Sequence, residues 1–181
     1  MTLHSKLLLP ALACFGVAVA GPPALTLADA KVTFNGKGPA GFKIVGTTDK
    51  IDVKDGDKQV SFCVPLDSFN TGIELRDAHM KEKSLETKKF PLATLVVDRA
   101  ALKLPSKDGQ TEQGTVTAQL TLHGVTRARE IAYTAQRAGG ATRVSASFKL
   151  NFNEHGVVVP AYMGITVKPD VEVQASFNVR P

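Results

Sequence analysis

Apolar and polar residues alternate along most of the chain with the two-residue period of β-strands. The clearest run places Val116, Ala118, Leu120 and Leu122 on one face and threonine and glutamine residues on the other. The same alternation occurs over residues 60–66, 144–152 and 171–179, and more weakly near residues 32–44. Each run predicts a strand with one buried and one exposed face.

Turn signals separate these strands at short intervals. Asp55-Gly56, His123-Gly124 and Gly139-Gly140 are dipeptides typical of tight hairpin loops. Strands with one polar face indicate an antiparallel sheet, because parallel strands are buried on both faces. We predict an all-β fold of about eight antiparallel strands. A sandwich and a barrel both fit this pattern, and the length and number of the strands favour a barrel with a ligand-sized interior.

One segment, residues 71–91, departs from the strand pattern. Residues 74–83 are rich in helix-forming residues and contain neither proline nor glycine. Phe90-Pro91 ends any helix, because the residue before a proline avoids the α region. The segment therefore predicts a short helix inside an otherwise β-stranded protein.

The predicted helix has one candidate buried side. Leu75 and Ala78 fall at helical spacing with Met80 close by, so these residues are expected to face the core. A turn over residues 86–89 then returns the chain to a strand that begins near Leu92. We predict that this segment is a helical lid at one end of the barrel.

The first residues have the composition of a secretory signal. Lys6 precedes an apolar stretch over residues 7–20 that is too short to span a bilayer. Cleavage motifs end at Ala20 and at Ala30. We expect cleavage near one of these residues and prefer Ala30, because strand character is predicted to begin at Lys31.

This division predicts a signal peptide over residues 1–30 and one domain over residues 31–181, in the periplasm or secreted. The domain retains one cysteine, Cys63, and so cannot form an internal disulfide. The net charge is +5 without a long Lys/Arg run, and no basic, aromatic-rich platform for nucleic acid is present. A transient contact with an anionic membrane remains compatible with the basic surface.

Three motifs together resemble a known family. They are T-G-I-E-L-R-D-A-H-M with its K-K-F-P tail, then G-T-V-T-A-Q-L-T-L-H-G-V-T-R, and finally N-F-N-E-H-G-V-V-V-P. In this order the chain resembles the YceI-like, polyisoprenoid-binding family of bacterial secreted proteins, over about residues 31–181. The resemblance implies a lipocalin-like barrel that carries or stores an isoprenoid or quinone-like lipid, without catalysis and without a further cofactor. Both a monomer and a homodimer are compatible with it.

The alternation and the resemblance together predict the residues that line the cavity. The inward-counted positions are Phe34, Phe42, Val60, Phe62, Val64, Leu66, Val116, Ala118, Leu120, Leu122, Val144, Ala146, Phe148, Leu150, Val171, Val173 and Phe177. Small residues among the inward positions, Ala118, Ala146 and Ala175, favour a hollow interior. A core filled by side chains is the alternative, as in other small barrels.

The polar residues of the helical segment have two interpretations. Arg76, Asp77 and His79 either cap the helix and bind loop carbonyls, or meet the polar head of a ligand at the barrel mouth. A bidentate arginine would suit a phosphate. Arg127 and Arg129 lie on a strand of ambiguous phase, and they would bind an anionic group if they faced inward.

Catalytic and metal sites lack a convincing pattern. His79, Glu82, His123 and His155 do not have the spacing of zinc ligands. Asp67, Ser68 and His79 are close only in sequence, and no G-x-S-x-G motif is present. We therefore expect no metal and no enzymatic activity. The alternatives are an enzyme acting on a small amphipathic substrate in the same cavity, and a partner-binding protein with a filled barrel.

Overall fold

The computed structural model describes residues 26–38, 41–159, 161–162 and 165–180, and it consists mainly of one antiparallel sheet. The strands are β1 (Thr26–Lys37), β2 (Lys43–Thr48), β3 (Asp52–Asp55), β4 (Gln59–Pro65), β5 (Leu92–Asp98), β6 (Thr111–Leu122), β7 (Val125–Ala138), β8 (Ala141–Asn151), β9 (Ala161–Tyr162), β10 (Ile165–Thr166) and β11 (Asp170–Arg180). One α-helix, α1 (Glu74–His79), continues as a π-helical turn over Met80–Ser84. Short 3-10 turns occupy Leu66–Ser68, Arg99–Ala101 and Phe152–His155.

The main sheet has nine strands in the order β2-β1-β11-β8-β7-β6-β5-β4-β3, and β9 and β10 form a separate small hairpin. This confirms the all-β antiparallel fold with a short helix. The predicted count of eight is too low by one strand in this sheet. The additional strand is β3, which contains a single apolar residue, Val53, and so has little alternation to detect.

The two edges of the curled sheet, β2 and β3, are consecutive in the chain. Beyond its pairing with β1, β2 makes one isolated bridge, from Thr47 to Asn70. The Thr47 amide donates to the Asn70 carbonyl at 2.9 Å, and the Asn70 amide donates to the Thr47 carbonyl at 3.0 Å. This bridge joins the β2 edge to the segment that follows β4.

The predicted sidedness of the strands is confirmed on β6. Its inward residues Val116, Ala118, Leu120 and Leu122 are buried, and Thr115, Thr117 and Gln119 are exposed. Partners directly opposite in an antiparallel ladder project from the same face, so the register extends this inner face to the neighbouring strands. Cys63 lies on the other face, as its position in the alternation predicts, and is half-buried opposite Asp52 and Thr94.

The start of β1 differs from the prediction. The strand does not begin at Lys31 but at Thr26, which pairs with Arg180 of β11. The pairing is interrupted by a bulge between Ala28 and Lys31, where Asp29 has a φ of 51°. The strand-based reason for preferring cleavage after Ala30 is therefore wrong. Residues 1–25 of the proposed leader, which the sequence predicts to span residues 1–30, lie outside the described residues.

The helical segment exists, but of its predicted buried side only Met80 packs against the core. Leu75 is 67% exposed and Ala78 is also exposed, whereas Leu85 is 5% exposed and packs into the core. The π-helical turn adds a residue, because the Leu85 amide donates to the Met80 carbonyl five residues earlier, and this shifts the helical phase. The predicted turn over residues 86–89 and the strand at Leu92 are confirmed. No helix in the described part of the chain is long and apolar enough to cross a bilayer.

Candidate ligand-binding site

The apolar interior of the curled sheet has a buried cluster at each end. The lid-side cluster lies against the helical segment and contains Val32, Leu66, Phe69, Leu85, Leu120, Leu122, Leu150, Val157 and Val171. The far cluster lies at the other end of the same strands and contains Val97, Val116, Ala118, Ile131, Tyr133, Ala135, Val144, Phe177 and Val179. Both ends of the interior are therefore closed by packed side chains.

Side chains between the two clusters are less deeply buried. Phe34, Val173 and Phe148 lie in one cross-strand row over β1, β11 and β8, and all three are half-buried. In the neighbouring row Ala175 lies opposite Ala146, and both are also half-buried. These inward-facing side chains keep solvent-accessible apolar surface between the two buried clusters. Such surface, adjacent to small side chains, can accommodate an apolar chain.

The predicted cavity-lining residues divide into three groups. Half-buried, inward-facing positions are Phe34, Phe62, Val64, Ala146, Phe148 and Val173. Buried positions are Val60, Leu66, Val116, Ala118, Leu120, Leu122, Val144, Leu150, Val171 and Phe177. Phe42 does not lie in the interior: it is 59% exposed, because β2 begins only at Lys43 and the alternation does not extend to it. Ligand contact at the first group remains a prediction.

The polar residues of the helical segment bind the turn that precedes α1. The Thr71 amide donates to both carboxylate oxygens of Asp77, at 3.0 and 3.2 Å, and Asp77 is buried. Arg76 donates from Nε to Thr71 Oγ1 and from Nη2 to the Thr71 carbonyl, each at 2.7 Å. His79 is exposed. Arg76 thus binds a loop carbonyl, as one interpretation predicts, but neither side chain caps α1, whose N-cap Ile73 has no side-chain capping bond. Both side chains are engaged with the turn before the helix.

A contact that the sequence analysis missed joins the helical segment to the β6–β7 hairpin. His123 Nε2 lies 2.8 Å from Glu86 Oε2, and the His123 ring packs on Phe90 with centroids 4.2 Å apart. Lys89 Nζ lies 4.9 Å from the centroid of the Phe90 ring. The L-T-L-H-G-V-T and K-K-F-P motifs therefore meet in space. Their separation in sequence gave no signal of this pairing.

The two arginines of β7 differ in environment. The register places Arg127 opposite Leu120 and Arg129 opposite Ala118, on the side of the sheet that carries the core. Arg127 is exposed. Arg129 Nη2 donates to Glu154 Oε2 and to His155 Nε2, the latter at 3.2 Å. The Arg129 guanidinium is therefore directed to the turn after β8.

His155, in the 3-10 turn after β8, is completely buried. Its Nδ1 donates to the Val125 carbonyl at 2.9 Å, so the other ring nitrogen is free to accept from Arg129. Burial lowers the pKa of His155, and the positive charge of Arg129 lowers it further against the opposing effect of the Val125 carbonyl. A neutral imidazole thus links β7 to the turn.

The sheet opens between β7 and β8. Their ladder ends at the Ala132–Ser147 pair, although β7 extends back to Val125 and β8 continues to Asn151. A depression of about 530 Å³ lies over this opening. Its lining is Thr115, Ala128, Arg129, Glu130, Ala132, Ser147, Phe148, Lys149 and Glu172.

A second depression, of about 580 Å³, lies on the adjoining outer surface. Outward-facing positions such as Thr115, Thr134, Ser145 and Gln174 contribute to its lining. The depression is open to solvent, and its lining also includes the inward-facing residues Tyr133 and Ala146.

The candidate catalytic side chains of Asp67, Ser68 and His79 have separate environments. Ser68 Oγ donates to the Pro65 carbonyl at 2.6 Å and lies 2.7 Å from Thr48 Oγ1, while Asp67 and His79 are exposed. The three side chains share no hydrogen bond with one another in the described residues. Over the same residues, no group of three or more His, Cys, Asp or Glu side chains is gathered as a metal site.

The chain is similar to known proteins in family and in fold. The family model described as "YceI-like domain" matches residues 24–179. No curated protein sequence matches the chain. A polyisoprenoid binding domain from Saccharophagus degradans, implicated in plant cell wall breakdown, is 18% identical with a TM-score of 0.72, over 87% of this chain and 97% of that one. Burkholderia cenocepacia BcnA is 19% identical with a TM-score of 0.68, over 85% of this chain and 98% of that one.

These two structures are similar to this chain in fold. The match of the family model extends across nearly the whole described sheet, from before β1 to the end of β11. By this match, the chain belongs to the YceI-like family.

Proposed function

We propose that this protein binds an amphipathic isoprenoid or a similar lipid, with the hydrocarbon tail in the middle of the curled sheet. The observation that carries the proposal is the half-buried row of Phe34, Val173 and Phe148, next to the facing pair Ala146 and Ala175. Apolar side chains that keep accessible surface between two packed clusters are suited to a flexible apolar guest. A structurally similar protein is named as a polyisoprenoid binding domain, which is consistent with this choice of ligand.

The energetics of such binding do not require a charged anchor. A tail that buries roughly 400 Å² at about 25 cal/mol per Å² gains about 10 kcal/mol before other terms. The loss of translational and rotational freedom offsets several kcal/mol of this. The remainder corresponds to an affinity in the micromolar range. The engagement of Arg76 and Asp77 in the turn before α1 is therefore compatible with lipid binding.

We further propose that the protein carries or stores its ligand without changing it, outside the cytoplasm. Apart from Arg127 and Arg129, the inner face supplies mainly aliphatic and aromatic side chains. The polar groups of Arg76, Asp77 and Ser68 are engaged in hydrogen bonds within the protein, and Arg129 binds Glu154 and His155. The leader-like composition of the first residues supports the location. Carriage is consistent with binding that depends on buried area rather than on a reactive group.

Binding is tested with purified protein in two ways. Organic extraction followed by mass spectrometry identifies a co-purified lipid, and titration with a fluorescent prenyl probe measures affinity. Ala146→Leu, which adds bulk to the inner face, is expected to weaken probe binding about tenfold. The matched variant Ser145→Leu adds the same bulk on the outer face and should leave affinity unchanged. Absence of both a co-purified lipid and probe uptake in the unmodified protein would contradict the proposal.

A further inference from the structure

We propose that the opening between β7 and β8 is a lateral portal, through which the hydrocarbon tail of the ligand enters and leaves the interior. This inference rests on the proposed function and adds a route and a set of gating residues to it. The portal is defined here by Ala128, Arg129, Phe148 and Lys149, all of which line the 530 Å³ depression.

The opening is held by specific contacts and is not a frayed strand end. Where β8 leaves β7, the 3-10 turn after β8 supplies the partner that the ladder lacks, since His155 Nδ1 donates to the Val125 carbonyl at 2.9 Å. Arg129 extends across to Glu154 and His155 of the same turn. On its other side β8 stays paired with β11 as far as Asn151 and Asp170. These contacts hold β7 and β8 apart beyond the Ala132–Ser147 pair.

Phe148 connects the opening with the interior. It lines the depression, and it packs against both the lid-side cluster and the far cluster. It also belongs to the half-buried row of Phe34 and Val173 that forms the proposed binding surface. Because packed side chains close both ends of the interior, movement of the Phe148 ring would open a path from the depression to this row.

The charges around the portal suit an amphipathic ligand. Arg129, Glu130, Lys149 and Glu172 line the depression and mix positive with negative charge. A polar head group can stay hydrated among these side chains while the apolar tail passes Phe148. Because both signs of charge are present, the depression suits a polar head group without selecting one charge. The same charged side chains disfavour passage of the head group into the apolar interior.

If the opening is a portal, a bulky group placed at its rim should slow ligand association and dissociation without changing affinity. In a Cys63→Ser background, Ala128→Cys is coupled to a bulky maleimide at the outer rim of the opening. Any Cys14 remaining in the preparation is also replaced. Stopped-flow mixing with the fluorescent prenyl probe should show association and dissociation each slowed at least fivefold, with an equally tight complex at equilibrium. Ser145→Cys, labelled in the same way, is the control, because it is exposed on the outer face away from the opening.

A second variant acts in the opposite direction. Phe148→Ala removes the ring from the opening and should accelerate association and dissociation severalfold. The labelled Ala128→Cys protein tests the portal without altering the core, so it decides the question if Phe148→Ala does not fold. Unchanged rates in labelled Ala128→Cys, with normal probe binding, overturn the portal and leave the proposed function intact. Failure of the unmodified protein to bind overturns both.

Discussion

Glu86 Oε2 lies 2.8 Å from His123 Nε2, and both residues have left-handed backbone conformations, with φ of 46° and 51°. Non-glycine residues adopt such angles infrequently, and here each one directs its side chain to the other. His123 and Gly124, with φ of 51° and 75°, form the two-residue turn between β6 and β7, as their sequence predicts. This pairing attaches the helical segment to the end of the sheet.

Loss of this contact is expected to loosen the helical segment. His123→Asn should raise the rate of trypsin cleavage at Lys81–Lys89 about twofold, because a hydrogen bond to a 45% exposed glutamate contributes on the order of 0.5 kcal/mol. Asparagine tolerates the left-handed turn, so the hairpin itself stays intact. Limited proteolysis, with fragments identified by mass spectrometry, measures the effect. Glu86→Gln should show a smaller increase, and cleavage equal to that of the unmodified protein in both variants would contradict an anchoring role.

The position of Phe34 depends on the absence of a side chain at Gly46. A Cβ atom added to Gly46 would overlap the Phe34 ring, so Gly46→Ala should lower the free energy of unfolding by about 1–3 kcal/mol. Gly36→Ala is the matched control, because its nearest heavy atom, Val171 Cγ1, would be 3.5 Å away. Urea denaturation compares the variants. If Phe34→Leu combined with Gly46→Ala recovers none of the loss, ring overlap is not its cause.

The buried His155 predicts a dependence of stability on pH. Its pKa is lowered in the folded state, chiefly by burial, so below about pH 6.5 the unfolded chain binds a proton that the folded chain does not. The free energy of unfolding should therefore fall as the pH decreases below about 6.5. His155 contributes at most about 1.4 kcal/mol per pH unit to this slope. Urea denaturation at pH 8 and pH 5.5 measures it. His155→Gln should show a smaller difference between the two pH values, and an equal difference would assign the effect to other groups.

The beginning of β1 predicts where a leader can be removed. Cleavage after Ala30 would delete the pairing of Thr26 with Arg180 and the contacts of Leu27 and Ala30 with the far cluster. A chain that begins at Lys31 should therefore melt several degrees below one that begins at Gly21. Thermal denaturation of the two purified forms tests this. When the full chain is expressed in a bacterium and a leader is removed, N-terminal mass spectrometry should find Gly21 as the first residue. A start at Lys31 would show that the first strand residues are dispensable.

The sequence predicts the features that follow from one buried face. On β6, every second residue from Val116 to Leu122 is buried. A one-residue shift in register would expose all of them, so the alternation determines which face points inward. The His123-Gly124 turn is equally local, since it depends on the backbone preferences of two adjacent residues. These local signals are sufficient for the fold class and for the inner face.

Features set by distant partners are not visible in the same pattern. Alternation continues along β8 through Phe148 and Leu150, yet the pairing with β7 stops before them, because periodicity does not record whether a neighbouring strand is present. The short α1 helix, followed by a π-helical turn, is too irregular for ideal spacing to identify its buried side. His155 lies in a polar Asn-Glu-His sequence, and only the tertiary structure shows that it is fully buried.

The three residues between Thr48 and Asp52 connect opposite edges of the nine-stranded sheet. A flat sheet of this size would separate its outer strands by about 38 Å, at roughly 4.8 Å per strand spacing, whereas so short a linker reaches at most about 14 Å. Covalent connectivity alone thus forbids flattening, whatever the packing inside. A guest is therefore not admitted by parting of these two edges, and lengthening this linker should relax that constraint.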